Sequence, residues 1–243
     1  MWTPRKICNK GISQMKHLIF DCGGVLVWPR LGEWNIPFGA FEILGTRARD
    51  IYSSRYLTAY REAVHWLDED QLVPDIESER RLRREYIRSM DALMEWRMTP
   101  REIDRLTDDF TDNIDRYGLF EDVAPWLKRW KGRYGLGILS DAMPSLLKFM
   151  DRWGILRSFD AAVISTQVGA IKPDPRMFTA ILDALDAEPG DCLFVDDRAG
   201  NLEGAVAMGM QAVQMARPVF LPQAYWDGPV VHSLEGLNKM IEA

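Results

Sequence analysis

Taken as a string of apolar and polar positions, the chain shows a short apolar run, Leu18-Ile19-Phe20, that ends in Asp21-Cys22-Gly23-Gly24. The run reads as a buried strand, and an acid followed by two glycines predicts a turn where backbone approaches a ligand closely. From about residue 40 to 118 the apolar period lengthens to that of a helix. Leu82, Tyr86, Met90 and Leu93 fall on one face, as do Ile103, Leu106, Phe110, Ile114 and Tyr117. Between them, Thr99-Pro100-Arg101-Glu102 has the form of a capping box with proline at the first helical position, which marks a helix start. No strand signal interrupts this stretch, so it predicts a small helical bundle.

After about residue 120 strand and helix alternate. A helix through Val123, Trp126, Leu127 and Trp130 leads to a strand at Tyr134–Leu139, and a helix at Pro144–Trp153 leads to a strand at Ala161–Ile164. A helix at Pro175–Leu185 leads to Cys192–Val195, and a helix at Ala199–Met208 leads to Ala212–Met215. This rhythm predicts an α/β fold, a three-layer parallel sheet of Rossmannoid type. One strand precedes the helical block, so the block is an insertion. The expected organisation is a basic tail at 1–16, a core at 17–30 and 119–243, and a helical cap at 31–118.

Composition narrows the partners. The 243 residues fit one large domain or a core with one insertion, and 47% hydrophobic with 27% charged residues is ordinary for a soluble globular protein. Thirty basic against 36 acidic residues give a net charge of −6, the wrong sign for a protein living on phosphate-backbone contacts. A nucleic-acid partner is therefore not expected. No apolar run approaches the roughly 18 residues of a membrane span. Cys8, Cys22 and Cys192 are too few and scattered for a disulfide framework or a zinc site, which points to a reducing, cytoplasmic setting. The first sixteen residues hold Arg5, Lys6, Lys10 and Lys16, no acid and no apolar stretch of a secretory signal. They read as a solvated tail, with Met1 and Met15 both candidate starts. The sequence leaves a monomer or a homodimer equally open.

In open α/β sheets ligands bind at the carboxyl ends of the strands. After the first strand comes Asp21, after the second Ser140 and Asp141, after the third Lys172, and after the fourth Asp196 and Asp197. An aspartate after a strand is commonly a helix cap, but a carboxylate, a hydroxyl, an ammonium and an acid pair delivered in order to one rim exceed what capping explains.

In these motifs the chain resembles the haloacid-dehalogenase-like hydrolase superfamily, from about residue 17 to 241. The motifs are Leu18-Ile19-Phe20-Asp21-Cys22-Gly23-Gly24-Val25-Leu26, then Gly137-Ile138-Leu139-Ser140, then Lys172-Pro173-Asp174-Pro175 with Phe178. The fourth is Phe194-Val195-Asp196-Asp197 with Asn201, Gly204, Ala205 and Gly209. From Asp21 to Ser140 is 119 residues, then 32 to Lys172 and 24 to Asp196; the long first gap matches the subfamily with a helical cap after motif one. The resemblance implies a hydrolase, a Mg²⁺-dependent phosphatase acting on a small phosphorylated metabolite beneath a cap that closes over the site. Asp21 would be the nucleophile and form an aspartyl-phosphate, Ser140 would donate to a phosphoryl oxygen, and Lys172 would balance charge. Asp21, Asp196, Asp197 and the carbonyl of Gly23 would hold Mg²⁺, a hard cation that takes oxygen ligands. Asn201 would orient the acid pair.

One departure matters. Many family phosphatases carry a second aspartate two positions after the nucleophile, to protonate the leaving oxygen and then activate water. Here that position is Gly23. Such acid–base help is worth roughly 10²–10⁴-fold. Without it the expected substrates have leaving groups that need little protonation, such as aryl or anomeric sugar phosphates. A metal-independent haloacid dehalogenase and a non-catalytic, ligand-binding relative are the alternatives. Dehalogenases of the family typically replace the motif-four acid pair with neutral residues, whereas Asp196-Asp197 keeps it.

Other residues read more plainly. Cys22 is expected to point into the sheet, and Asp141 to cap the helix near Pro144 or else touch substrate. Arg198 reads as a surface residue, and His17, His65 and His232 as structural. Arg80, Arg81, Arg83, Arg84 and Arg88, among Glu77, Glu79 and Glu85, read as a solvated helix face. Trp28 and Trp34 either pack the hinge region or line a substrate entrance.

Overall fold

A computed structural model describes the backbone of residues 15–69, 72–218, 224 and 226–243, and side chains outside 65–69. The expected basic tail up to residue 14, with Cys8, and the side chain of His65 lie outside the described residues. In chain order the elements begin with β1 (His17–Phe20), β2 (Val27–Pro29), α1 (Ala40–Leu44), α2 (Ser54–Glu69), α3 (Ile76–Met94), α4 (Pro100–Asp112) and β3 (Tyr117–Leu119). There follow α5 (Val123–Trp130), β4 (Gly135–Ser140), α6 (Ser145–Arg152), β5 (Ala161–Ile164), α7 (Ser165–Val168) and α8 (Pro175–Leu185). The last are β6 (Cys192–Asp196), α9 (Ala199–Ala207), β7 (Gln211–Met215), β8 (Val230–Val231) and α10 (Leu234–Ile241). Among the described residues no helix is long and apolar enough to cross a membrane.

The chain divides into two compact units. The first holds the described residues up to Trp28, within Leu119–Asp141 and within Gly154–Ala243. Its six strands run in the order β5-β4-β1-β6-β7-β8, and every neighbouring pair is parallel. Leu18, Ile19 and Phe20 of β1 are fully buried because β1 is central, between β4 and β6. Period-two alternation sends neighbours to opposite faces. Ile19 joins Leu139, Met177, Phe178, Phe194 and Leu202 on the side of α8 and α9. Phe20 stacks on Trp130 of α5 with ring centroids 5.8 Å apart. The Trp130 indole N–H in turn donates to Asn238 Oδ1 of α10 at 3.0 Å. Two apolar faces, each covered by helices, make the three-layer α/β arrangement. Parallel strands all end on one rim, so Asp21, Ser140 and Asp196 share it. The short strands β2, β3 and β8 were beyond the sequence pattern, being only two or three residues long.

The second unit holds Pro29–Gly118 and Ala142–Trp153. Residues 142–153, which strand–helix alternation reads with the sheet, fall here because α6 is tied to α3: Glu79 accepts from Ser145 N at 2.8 Å and from Ser145 Oγ at 2.7 Å. The expected capping box starts α4, with Thr99 N donating to Glu102 Oε2 at 2.7 Å and Glu102 N to Thr99 Oγ1 at 3.3 Å. Tyr86, Ile87, Met90 and Met94 of α3 pack with Leu106 and Phe110 of α4 in one buried cluster.

The arginines of α3 form a solvated face only in part: Arg81 and Arg88 are exposed, Arg80 and Arg84 are partly buried against α4, and Arg83 is buried. Arg80 pairs with Asp112 at 2.9 Å and with Asp108, and Arg84 pairs with Asp104, all on α4. Arg83 is buried, donates to Asn35 Oδ1 at 2.7 Å and lies 4.5 Å from the Phe110 ring centroid. The reason is helical spacing: positions 79, 83, 86, 87, 90 and 94 form the inward line, so Glu79 and Arg83 turn in while their charged neighbours turn out. Exposed pairs such as Arg88–Glu85 contribute about 0–1 kcal/mol each. The buried pair differs. Glu79→Ala strands the Ser145 donors and leaves the Arg83 charge without its carboxylate, 3.9 Å away. Stability is expected to fall by ~3 kcal/mol or more, read from urea unfolding. A loss within a few tenths of a kcal/mol would show that Arg83 does not depend on Glu79.

Candidate active site

The rim of the sheet is built from local backbone geometry. Asp21 N donates to Val195 O at 2.9 Å, extending β1 by one residue along β6. The chain then turns sharply, with the N–H groups of Leu26 and Val27 both reaching Cys22 O, at 2.8 and 2.9 Å. Gly24 has φ +70°, and a Cβ there would lie 2.7 Å from Asp197 Oδ2. Glycine at 24 is thus required twice, by backbone conformation and by the carboxylate beside it. Gly23 is not among the positive-φ glycines. Cys22 is buried, and burial pushes its thiol well above the ordinary range while Ser140 shares a hydrogen bond with it. Cys22 is accordingly part of the packing beneath the turn.

Lys172 organises the charges. Its ammonium is buried and donates to Asp21 Oδ1 at 2.7 Å, Asp196 Oδ2 at 2.8 Å and Leu139 O at 3.1 Å. The Lys172–Pro173 peptide is cis, and Asp174 begins α8 by accepting from Arg176 N at 2.9 Å. Burial opposes the Lys172 charge, but Asp196 and Asp21 outweigh it and hold the ammonium well above the usual lysine range. Asp196 also accepts from Arg198 N at 2.8 Å and from Asn201 Nδ2 at 3.0 and 3.2 Å, so both its oxygens are engaged. Asn201 sits in the first turn of α9, which brings its amide back onto the strand end.

Asp197 is the contrast. Among the described residues no other side chain donates to its carboxylate. Burial, with Asp21 and Asp196 nearby, pushes it up to about 8, and burial likewise raises Asp21 to about 6. Oxygens of Asp21, Asp196 and Asp197 lie within 4.8 Å of one another. Three carboxylates around one ammonium leave two negative charges in excess when all are ionised. With Oδ2 of Asp21 and both oxygens of Asp197 free of side-chain donors among the described residues, the set fits a hard divalent cation.

Sequence-expected residues therefore meet here: Asp21, Lys172, Asp196, Asp197 and Asn201 by direct contact or close approach, Gly23 in the turn, and Ser140 buried at the end of β4. Of the two roles expected for Asp141, the helix cap is not the one found. Among the described residues no side chain caps α6, whose N-cap is Pro144, and Asp141 Oδ1 instead accepts from Lys172 N at 2.8 Å. Its carboxyl is raised, chiefly by burial. Arg198 is exposed, as expected, although its backbone contributes to the site. Gln214 was not anticipated. Fully buried on β7, it donates to Asp197 O at 2.9 Å and Ala224 O at 2.7 Å, bracing the loop behind the acid pair. Its signal was a polar residue in the otherwise apolar run Ala212-Val213-Gln214-Met215.

The sequence profile of the haloacid dehalogenase-like hydrolases matches residues 15–209. The chain is 32% identical over 104 residues to (S)-2-haloacid dehalogenase 1 of Pseudomonas sp. (strain CBS-3), covering 42% of this chain and 45% of that one. It is 31% identical over 107 residues to enolase-phosphatase E1 of Sorangium cellulosum, covering 42% and 46%. The chain spans about half or less of the length of the curated relatives it matches. A haloacid dehalogenase-like (HAD) phosphatase from Thermococcus onnurineus has the same fold, with TM-score 0.62 at 21% identity over 93% of this chain and 98% of that one. A profile match over most of the chain, falling on the residues that meet at the rim, makes this protein a member of the haloacid dehalogenase-like hydrolases.

Proposed function

We propose that this hydrolase cleaves a small phosphomonoester in the presence of Mg²⁺, through an aspartyl-phosphate on Asp21. The observation that carries the reading is the cluster of Asp21, Asp196 and Asp197 within 4.8 Å, with one lysine against it among the described residues. A metal-free hydrolase gains nothing from an unneutralised third carboxylate, whose repulsion destabilises the fold. The alternative as a haloacid dehalogenase rests on the relatives of that name and leaves Asp197 unexplained.

Lys172 fixes Asp21 through Oδ1, so Oδ2 is the oxygen free to attack phosphorus. The ammonium also offsets charge on the transferred group. Ser140 stands at the end of β4 to donate to a phosphoryl oxygen, and Asn201 holds Asp196 so that it keeps Lys172 in line. Asp21, Asp196, Asp197 and the Gly23 carbonyl would hold Mg²⁺, which neutralises charge developing on the phosphoryl oxygens. The decisive assay is hydrolysis of an aryl phosphate with and without Mg²⁺. Turnover that needs the metal is expected. Release of halide from a haloacid in the presence of chelator, with no phosphate release, would replace this reading with the dehalogenase one.

Metal should also register in stability. Asp21 and Asp197 have raised values in the folded protein, about 6 and about 8, so each stabilises the fold most when protonated. That contribution is complete below the ordinary carboxylate range and is lost as pH rises through 6 and then 8. Without metal the melting temperature should fall from pH 5 towards pH 8.5. Mg²⁺ competes with those protons, so a fixed concentration should raise Tm more at pH 8 than at pH 5.5. An equal shift at both pH values, measured by thermal denaturation, would argue against metal at these carboxylates.

A further inference from the structure

The glycine at position 23 leaves the leaving oxygen without the usual proton donor, and among the described residues the rim contains one carboxyl not otherwise committed. Asp196 has donors on both oxygens, Asp21 is the attacking group, and Asp197 stands in the cluster beside Gly24. Asp174 caps α8 and pairs with Arg176 at 2.8 Å. Asp141 remains. It follows Ser140 directly at the end of β4, on the same rim as Asp21. Lys172 N holds its Oδ1 at 2.8 Å, and among the described residues nothing donates to Oδ2. One oxygen is thus anchored to the residue whose ammonium holds Asp21, and the other is left for a ligand.

We infer that Asp141 is a catalytic residue, the general acid and then general base that takes the place of the missing carboxyl at position 23. The inference rests on the phosphatase reading above. In the first half-reaction Asp21 Oδ2 bonds phosphorus as the bond from phosphorus to the leaving oxygen breaks. The Asp141 proton passes to that oxygen, giving the free alcohol and an Asp141 carboxylate. In the second, the carboxylate takes a proton from water as the water oxygen bonds phosphorus. The Asp21–phosphorus bond breaks, phosphate leaves, and both side chains return to their starting forms.

The charged groups around Asp141 suit that exchange. Burial favours its neutral form, Lys172 and Arg198 favour the carboxylate, and Asp21 and Asp196 disfavour it; the net direction is towards the protonated carboxyl that a general acid needs. A proton donor here replaces the preference for easy leaving groups that Gly23 alone implies: dependence on leaving-group acidity should be shallow in the wild type.

Asp141→Asn tests this cleanly, because the amide oxygen still accepts from Lys172 N while the proton is gone. The measurement is kcat/KM with Mg²⁺ across phosphomonoesters from nitrophenyl to simple alkyl esters, for wild type and D141N. Alkyl esters should lose about 100-fold and the nitrophenyl ester only a few-fold, because nitrophenolate needs no proton. In a second variant, adding G23D to D141N should restore much of the alkyl-ester rate, since Gly23 is not in the positive-φ region that excludes side chains. Equal losses on aryl and alkyl esters would make Asp141 a support for the Lys172 loop and overturn the inference, as would unchanged alkyl rates. Wild-type protein that releases no phosphate from any ester would overturn the phosphatase reading itself, and this assignment with it.

Discussion

Asp21→Asn is expected to reduce phosphate release by roughly 10⁴-fold or more, to the level of a no-enzyme control. The amide keeps the shape of the side chain and an oxygen for Lys172, which approaches Asp21 at 2.7 Å, but has no charge with which to attack. Folding should survive. Lys172 retains Asp196 at 2.8 Å, and removing one of three crowded carboxylates relieves repulsion. Burial already raises Asp21 to about 6, so its ionisation above that pH weighs against the fold. Without metal at pH 8, D21N should therefore melt no lower than the wild type. Rapid-quench trapping supplies the second measurement: phosphate acid-stable on the wild-type chain and absent from D21N. Retention of more than about a tenth of wild-type turnover would remove Asp21 from the mechanism.

Asp197→Ala should lower kcat/KM by roughly 10³-fold and weaken Mg²⁺ binding in parallel. Asp197 is the member of the cluster whose carboxylate no other described side chain engages, so its loss breaks no hydrogen bond from a neighbouring side chain. What it removes is charge available to a cation. Because burial pushes Asp197 up to about 8, the metal-free alanine variant should also lose part of the decline in Tm between pH 6 and pH 8.5. Calorimetric titration with Mg²⁺ separates the outcomes. Unchanged affinity in D197A would count against Asp197 as a ligand, whatever happens to activity.

Much of this site is readable in the sequence because parallel strands deliver whatever follows them to a common rim. Asp21, Ser140 and Asp196 end their strands, and Asp197 and Asn201 follow at the start of a helix. Spacing along the chain therefore translates directly into proximity. Contacts that depend on how loops fold back are less legible. Asp141 reads as a cap from its position before Pro144, yet it accepts from Lys172 N, 31 residues on. Gln214 braces the Asp197 carbonyl from a neighbouring strand; the apolar run around it marks Gln214 as unusual but does not say which group it holds. Among the α3 arginines, Arg83 misleads for a related reason. Composition speaks of a charged surface, and only the 3.6-residue period separates Arg83, turned inward, from Arg80 and Arg84, which reach α4.

The union of α6 with α3 and α4 bears on how this protein lends itself to shuffling of parts. Glu79 holds both Ser145 donors, Lys148 Nζ donates to Thr111 O at 3.0 Å, and Arg152 to Asp112 O at 2.8 Å. The helical unit is not a cassette bounded by two cuts. A chimera that exchanges 29–118 alone for the corresponding segment of a relative would confront α6 with a surface lacking the Glu79 carboxylate that holds Ser145 and the Asp112 carboxylate that pairs with Lys148. Successful grafts should be those that carry 142–153 along, or that rewrite Ser145, Lys148 and Arg152 to suit the incoming helices.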